Sequence, residues 1–159
     1  MSDFTVGPLA QDEARAVYPL IREAIPTLQL ATWLRFTRQV AATRPAGHAG
    51  IVVARRTGRL FPCGLFCYRV ERDLEHGQVL TADHFVAMDL LDPTAVLDAL
   101  VNALQDLGAQ LGCSAVRGIV HGRQTALAGE LSAAGHALEA SLFSRSVAPV
   151  GAAAGAGDD

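Results

Sequence analysis

The chain has 159 residues, the length of one domain; half of them are apolar and 18% are charged, so it can bury a substantial core. The formal net charge of −3 gives no general attraction for nucleic acid. The sequence contains no run of about 18 apolar residues, and no charged segment followed by an apolar one resembles a signal peptide. We therefore expect a soluble protein of the cytoplasm that neither spans a membrane nor is secreted.

The three cysteines, Cys63, Cys67 and Cys113, are an odd number and lack the paired spacing of a metal site. Cys63 and Cys67 fall in one predicted strand, where residues four apart lie on the same face about 13 Å from each other. That separation is too long for a disulfide. We interpret both as buried thiols in a reducing compartment.

The first elements are a short strand and two helices. Residues 4–7 predict the strand, and a helical stripe begins near Gln11 with acidic side chains in its first turn. Pro19 lies inside this helix and is expected to kink or split it, and Pro26 ends it. Residues 28–43 predict the second helix.

The pattern then changes to strands. Residues 50–55, 60–70 and 79–90 have the apolar and β-branched composition of strands. Turns are predicted between them at residues 57–59 and at the polar residues 71–77. Because strands joined by short turns pair in antiparallel fashion, we expect an antiparallel meander.

The clearest helix of the chain covers residues 93–111. Asp92 is suited to the N-cap and Pro93 to the first helical position, and leucine and valine recur along one stripe until Gly112. A short buried strand over residues 115–120 follows. A strand, a helix and a strand in this order predict a right-handed parallel crossover.

The last predicted elements are a helix over residues 123–134, which Gly135 ends, and an alternating stretch over residues 136–147 that predicts a final strand or hairpin. The tail over residues 149–159 is rich in alanine and glycine and is predicted to be disordered. The element order predicts a single α/β domain over residues 1–148, with a mixed central sheet of about six to seven strands and helices on both faces.

This order, with meandering strands before one crossover and a late helix that ends in glycine, resembles the GCN5-related N-acetyltransferases. The strongest local piece runs from Leu131 to His136 and leads into residues 138–145. It is similar to that family's closing motif, an aromatic residue, three others and then Gly-Phe. The resemblance covers roughly residues 4–147 and implies an acetyltransferase fold with acetyl-CoA or another acyl-CoA as the donor.

The resemblance also implies where the donor binds. Its pantetheine arm would pair with the backbone of Ala87, Met88 and Asp89. Its pyrophosphate would lie on the N-terminal turn of the next helix, whose N–H groups and positive partial charge favour anions. The residues of that turn are Ala95, Val96 and Leu97.

The sequence departs from the family pattern at this turn. The family has Arg or Gln, two residues, Gly, one residue and Gly, and those positions here are Asp92, Ala95 and Leu97. A leucine side chain would obstruct a phosphate that glycine admits, and an aspartate would repel it. Either the turn only caps the helix, or a donor binds in an altered way with Arg123 supplying the positive charge.

A second departure concerns the acid that protonates the departing thiolate. The family often places a tyrosine four residues before the closing glycine, and that position here is Leu131, which has no proton to give. The phenylalanine after the glycine is replaced by His136. Both departures affect positions at which the family carries out its chemistry.

Acyl transfer to an amine needs a base, commonly histidine or a carboxylate acting through water. His121 follows the strand over residues 115–120 at the carboxyl edge, where open α/β sheets bind ligands. We expect Asp89 to meet His121 there as the catalytic pair. Asp83 and His84 should point to opposite faces of their strand, and the resemblance implies that residues there line the acceptor pocket, which makes both further candidates.

Two functions are compatible with these residues. One is a divergent N-acyltransferase that acts on a small amine or a peptide. The other is a catalytically inactive module that binds a ligand or a protein partner. His48, His76 and His136 are scattered, so the pattern predicts no metal site. Nucleic acids and membranes are not expected as partners, and a homodimer is compatible with an exposed late strand.

Overall fold

A computed structural model describes residues 3–122 and 124–148. Within these residues the chain forms five strands and four helices, with a 3₁₀ turn Gln11–Glu13 before the first helix. The predicted disordered tail over residues 149–159 lies outside the described residues. The elements are Phe4–Pro8 (β1), Ala14–Ala24 (α1), Leu30–Ala42 (α2), Ala49–Arg56 (β2), Pro62–Asp73 (β3), Gly77–Ala87 (β4), Pro93–Gln110 (α3), Ala115–Gly118 (β5) and Thr125–Ala133 (α4).

The five strands form one mixed sheet in the order β1-β2-β3-β4-β5. The first four strands pair antiparallel with their neighbours, and β5 pairs parallel with β4 across the α3 crossover. The predicted meander and parallel crossover are therefore confirmed. A helix with the length and apolar character needed to span a bilayer is not found in the described part of the chain.

The C-terminal segment corrects the prediction of six to seven strands. Residues 136–148 form neither a strand nor a helix, so the predicted final strand or hairpin over residues 136–147 is wrong. Leu138 and Phe143 in this segment are 94% and 92% exposed. The alternation of apolar residues is present in the sequence, but it buries no face and pairs with no neighbouring strand of the described sheet.

Two apolar cores lie on opposite faces of the sheet. One joins the sheet to α3 and α4 and contains Phe66 and Leu100. The other joins it to α1 and α2 and contains Ile21 and Trp33. The prediction of helices on both faces is confirmed, and the burial of these side chains is the main force that holds the three layers together.

Pro19 does not split α1, which is continuous across it. A proline removes one helical hydrogen bond and disturbs the preceding turn. Tertiary contacts compensate, since Val17 and Ile21 on the inner stripe are each only 1% exposed. The indole N–H of Trp33 also donates to the Ala14 carbonyl at 2.7 Å and joins α2 to the first turn of α1.

An irregularity in the β2–β3 pairing corrects the prediction for the cysteines. The register shifts between Ala54 and Arg55. As a result Cys63 packs on the α3 face of the sheet and Cys67 on the α1 face, because an extra residue reverses the alternation. The prediction that the two share a face is wrong. Both thiols are free and buried, as predicted, and burial raises the pKa of Cys67 to about 12.

A charged cluster connects the β3–β4 hairpin to the C-terminal segment. Arg117 on β5 contacts Asp73 at 2.9 Å and Glu139 at 3.2 Å. The Asp73 carboxylate also accepts hydrogen bonds from the N–H groups of Glu75 and His76 in the hairpin turn, both at 2.9 Å. The strand β3 extends to this aspartate and is longer at its C-terminal end than the sequence predicted.

We predict that acid destabilises the fold in part through Asp73. The N–H of His76, followed by the Arg117 guanidinium, lowers the pKa of Asp73 to about 2, below the value of about 3.9 in an unfolded chain. A lowered pKa stabilises the fold above the unfolded value, and this contribution is lost as the pH falls from about 4 towards 2.

Asp73→Asn keeps an oxygen for the turn but removes the charge. The variant should be less stable than the wild type at neutral pH, and the difference should shrink as the pH falls through this window. Urea unfolding at neutral and acid pH measures it, with Asp98→Asn on α3 as the control. A difference that does not change with pH would contradict the prediction.

Candidate active site

Strands β4 and β5 separate at one point of the sheet and leave a gap. Their parallel pairing runs from Val79 opposite Ala115 to Ala82 opposite Gly118. The N–H of Ile119 still donates to the Ala82 carbonyl at 2.8 Å, and no further pair of these two strands follows in the described residues. The separation opens the carboxyl edge of the sheet, which is where open α/β sheets bind ligands.

The side chain of Gln124 spans this gap. Its Nε2 donates to the Phe85 carbonyl at 2.9 Å, and its Oε1 accepts the N–H of His121 at 3.0 Å. These two bonds fix the loop that carries His121 relative to β4. Gln124 was not predicted as a site residue, because a glutamine in a loop has no sequence pattern that distinguishes it from a solvated side chain.

A β-bulge in β4 determines the direction of two candidate residues. The register with β3 shifts between Leu65 and Cys67, which leaves two residues of β4 opposite one of β3. His84 lies in the bulge with a φ of 55°, in the left-handed region that residues other than glycine rarely adopt. Asp83 and His84 therefore do not point to opposite faces as predicted, and His84 Nε2 lies 3.7 Å from Asp83 Oδ2.

Asp83, His84 and His121 form a cluster at the mouth of the gap. His121 Nε2 is hydrogen-bonded to Asp83 Oδ1, while His84 faces the other oxygen of the same carboxylate. The two imidazole rings are parallel, with an interplanar angle of 4° and centroids 5.6 Å apart. The side chain of Asp83 is 19% exposed and that of His121 is 50% exposed. A histidine held by a shielded carboxylate and open to solvent is suited to accept a proton.

Asp89 is not the partner of His121, contrary to the prediction. It accepts two hydrogen bonds from the Arg56 guanidinium at 2.8 and 3.1 Å. The pKa of Asp89 lies below its ordinary value, first because the Leu91 N–H donates to the carboxylate and next because Arg56 does. The prediction is wrong because β4 ends at Ala87, so Asp89 belongs to the following turn and not to the strand edge beside His121.

Three N–H donors in the turn before α3 are occupied by carboxylates of the chain itself. Asp89 Oδ1 accepts the N–H groups of Leu91 and Asp92 at 2.8 and 3.2 Å. Asp92 Oδ1 accepts the N–H of Ala95 at 3.0 Å, which confirms Asp92 as the N-cap. This turn does not fit the pyrophosphate of an acyl-CoA, since three of its N–H donors are taken and two negative charges would repel the phosphates.

The other predicted cofactor contacts in the turn belong to the core. Val96 is 0% and Leu97 8% exposed, and both pack between α3 and the sheet. The prediction that the Leu97 side chain would obstruct a phosphate is wrong, because that side chain packs in the core. The obstacle to an anion is the charge of Asp89 and Asp92.

Ala87 and Met88 complete the pairing of β4 with β3. Ala87 lies opposite Gly64, and the N–H of Met88 donates to the Cys63 carbonyl at 2.7 Å. The Met88 amide is therefore already bonded within the sheet and is not available to a pantetheine arm. Arg123, the remaining predicted cofactor contact, lies outside the described residues.

Leu131 is a packing residue, which explains the lack of an acid at its position. It is 6% exposed, and a Cβ at Gly118 of β5 would lie only 2.8 Å from its side chain. The glycine thus allows α4 to pack closely on β5. His136 follows the end of this helix, where its N–H donates to the Leu131 carbonyl at 2.9 Å.

A cavity of about 350 Å³ adjoins the histidine cluster. It is lined by Glu23, Ala24 and Ile25 at the end of α1 and by four residues of the site, His84, Phe85, His121 and Gln124. A larger groove of about 790 Å³ lies between β1 and α3, and its lining includes Asp98 and Asp106 but none of the predicted catalytic residues. We therefore place the candidate active site at the smaller cavity.

No protein-family model matches the sequence, and no curated protein is significantly similar to it. Solved structures are similar in fold. The aminoglycoside N-acetyltransferase AAC(6')-Iy in complex with CoA has a TM-score of 0.73 at 15% identity, over 92% of this chain and 96% of that chain.

Two further N-acetyltransferases have comparable similarity. Glucosamine-6-phosphate N-acetyltransferase from Arabidopsis thaliana has a TM-score of 0.67 at 12% identity, over 88% of this chain and 97% of that one. Ribosomal-protein-alanine N-acetyltransferase from Brucella melitensis has a TM-score of 0.70 at 14% identity, over 91% and 99%. At these identities the similarity concerns the fold alone. The chain has the fold of the GCN5-related N-acetyltransferases, and the fold that the resemblance implied is confirmed.

We predict that glycine at position 84 gives a more stable protein than alanine. Both substitutions remove the imidazole, so their difference isolates the backbone. Alanine in the left-handed region costs about 1–2 kcal/mol more than glycine, whereas in an ordinary strand glycine is the weaker residue by about 0.5–1 kcal/mol. The free energy of unfolding, measured in urea, should therefore be about 1 kcal/mol higher for His84→Gly than for His84→Ala.

The same two substitutions at Arg69, an exposed position of β3, serve as the control. There alanine should be the more stable of the two. If the order at position 84 matched the order at position 69, His84 would not have the left-handed conformation that shapes the cluster.

Proposed function

We propose that this protein transfers an acyl group from an acyl-CoA donor such as acetyl-CoA to the nitrogen of a small amine or a peptide. The observation that carries the proposal is the hydrogen-bonded pair of His121 and Asp83 at the mouth of the gap between β4 and β5. The fold that the chain shares with N-acetyltransferases supports it. The reducing cytoplasm, which the three free cysteines fit, is the location that we propose for it.

In such a transfer the amine must lose a proton for its nitrogen to attack a carbonyl carbon. His121 is the residue that accepts this proton. When its Nε2 donates to Asp83, the other ring nitrogen, Nδ1, carries the lone pair of the neutral imidazole. The Asp83 carboxylate then holds the ring in this tautomer and stabilises the imidazolium that forms.

The cavity favours a small, positively charged acceptor. Its volume of about 350 Å³ lies at the lower end of the range for small-molecule sites. Glu23 lines the cavity, and Asp83 lies behind the histidines that form its wall. Two carboxylates near one cavity attract an ammonium group, which His121 then deprotonates.

The turn before α3 favours a second function, a catalytically inactive module that binds a ligand or a protein partner. The N–H groups of Leu91, Asp92 and Ala95 are bonded to the carboxylates of Asp89 and Asp92. A donor would have to bind without these groups and against the two charges. In this second function the cavity beside His121 binds a ligand and transfers no group.

Calorimetry of the full chain with acetyl-CoA distinguishes the two functions, with desulfo-CoA as the unreactive check. A transferase binds both and acetylates at least one amine of a panel of small amines and peptides. The absence of binding heat up to about millimolar ligand would favour the inactive module. It corresponds to a free energy of binding weaker than about −4 kcal/mol.

We predict that His121→Ala lowers the kcat of acetyl transfer by about 10²-fold or more, the usual contribution of a general base. Asp83→Asn should lower it as well, because it removes the charge that stabilises the imidazolium. His48→Ala is the matched control, since His48 does not line the cavity, and it should leave kcat unchanged. Full activity in His121→Ala would rule out the proposed base.

We predict that the double substitution of Asp89→Asn with Asp92→Asn strengthens the binding of CoA. Asparagine still accepts the N–H groups of the turn, but the two negative charges disappear and Arg56 loses its ionic partner. Removing about 1 kcal/mol of repulsion for each charge should lower the Kd about tenfold or more. Asp98→Asn on the same helix is the control, and an equal gain in that variant would show that the turn is not the obstacle.

A further inference from the structure

The histidine cluster contains one imidazole more than proton transfer needs. A base and its orienting carboxylate are provided by His121 and Asp83, yet His84 also faces that carboxylate, at 3.7 Å. It does so only because of its left-handed backbone, with φ of 55°, a conformation that residues other than glycine rarely adopt. In an extended strand this imidazole would lie on the opposite face. Strained backbone that brings a third polar side chain to a site indicates a function for that side chain.

We propose that Asp83, His84 and His121 bind a divalent transition-metal ion of the zinc class. One potential ligand atom from each of the three residues lies within 4.8 Å of the other two. The Nε2 atoms of the two histidines face the two oxygens of one carboxylate. The potential ligand atoms therefore lie close together beside the carboxylate of Asp83.

The geometry needs only a small adjustment to coordinate an ion. Zinc bonds of about 2.0–2.1 Å place tetrahedral ligand atoms about 3.4 Å apart, so the widest separation in the cluster, up to 4.8 Å, must shorten by about 1.4 Å. Asp83 and His84 are held by the strand. His121 lies in the loop after β5 and is half-exposed, so a rotation of its side chain provides the movement.

The set of ligands selects the class of ion. Two imidazole nitrogens with one carboxylate suit zinc and its neighbours in the first transition series, whereas magnesium and calcium prefer oxygen ligands. Three protein ligands leave a fourth position for water or a ligand atom, as in catalytic zinc sites. The adjoining cavity of about 350 Å³ has room for that group, and Glu23 in its wall offers a further carboxylate.

One consequence rests on the proposed function. An ion bound to His121 Nε2 and Asp83 replaces the hydrogen bond between them and occupies the carboxylate that stabilises the imidazolium, so Zn²⁺ should inhibit acyl transfer by the wild type. Metal binding itself does not depend on that activity. Uptake of the ion by a protein without transferase activity would support the metal site and contradict only the proposed function.

The test is a titration of Co²⁺ into the full chain, free of affinity tags and treated with a chelator. Cobalt substitutes for zinc, and its visible absorption reports coordination by nitrogen and oxygen. We expect the wild type to bind one Co²⁺ per chain, to release it when Zn²⁺ is added and to retain it in Mg²⁺. His121→Ala and His84→Asn should each weaken binding about tenfold or more. Asparagine is chosen at position 84 because it tolerates the left-handed region.

His76→Ala is the matched control, because His76 and Glu139, 2.9 Å apart, are another exposed pair of histidine and carboxylate. It should bind Co²⁺ as the wild type does, and circular dichroism shows whether each variant is folded. No uptake by the wild type would overturn the proposal. Undiminished uptake by both folded cluster variants, or a loss of uptake confined to His76→Ala, would overturn it as well.

Discussion

The extra residue at His84 in β4 is the constraint on which the site depends. Leu80 and Phe85 face the same core under α3, and Val86 packs on the α1 face. In a regular strand, residues five positions apart lie on opposite faces of the sheet. The pairing of β4 with β5 ends just before the bulge, so the two strands part where Asp83 and His84 turn towards the next loop. Packing on both faces of the sheet determines this backbone and keeps His84 in a conformation that its own preferences oppose.

The histidine cluster and the turn before α3 differ in their electrostatic character. At the cluster, two imidazoles and a shielded carboxylate can exchange a proton or hold a cation. At the turn, the carboxylate of Asp89 accepts the Leu91 N–H and the Arg56 guanidinium, which is the set of donors that an anionic ligand would use. The chain therefore supplies its own anion at a turn where the fold commonly offers a site. Because one fold supports many functions, the histidine cluster and not the topology is the basis of the proposed function.

Most of the fold could be predicted from local signals, and the site could not. The cap at Asp92, the meander and the parallel crossover follow from short-range sequence chemistry and are found in the structure. The bulges beside Cys63 and at His84 arise from packing between distant elements; Gly64 adjoins the first, but no glycine marks the second. This is why Asp83 and His84 were predicted on opposite faces and why Asp89 was matched with His121. Residues 136–147 show the converse case, since their alternation predicted a strand although no described edge pairs with them.

The amide of Gln124 has a consequence for any molecule that enters between β4 and β5. The amide occupies the Phe85 carbonyl and the His121 N–H, one acceptor and one donor that a peptide-like ligand would otherwise use. A ligand that enters the gap therefore competes with the side-chain amide of Gln124. Groups joined by short flexible segments have effective concentrations of millimolar order. A ligand that only exchanges one amide for another gains little, so binding in the gap requires further contacts in the cavity.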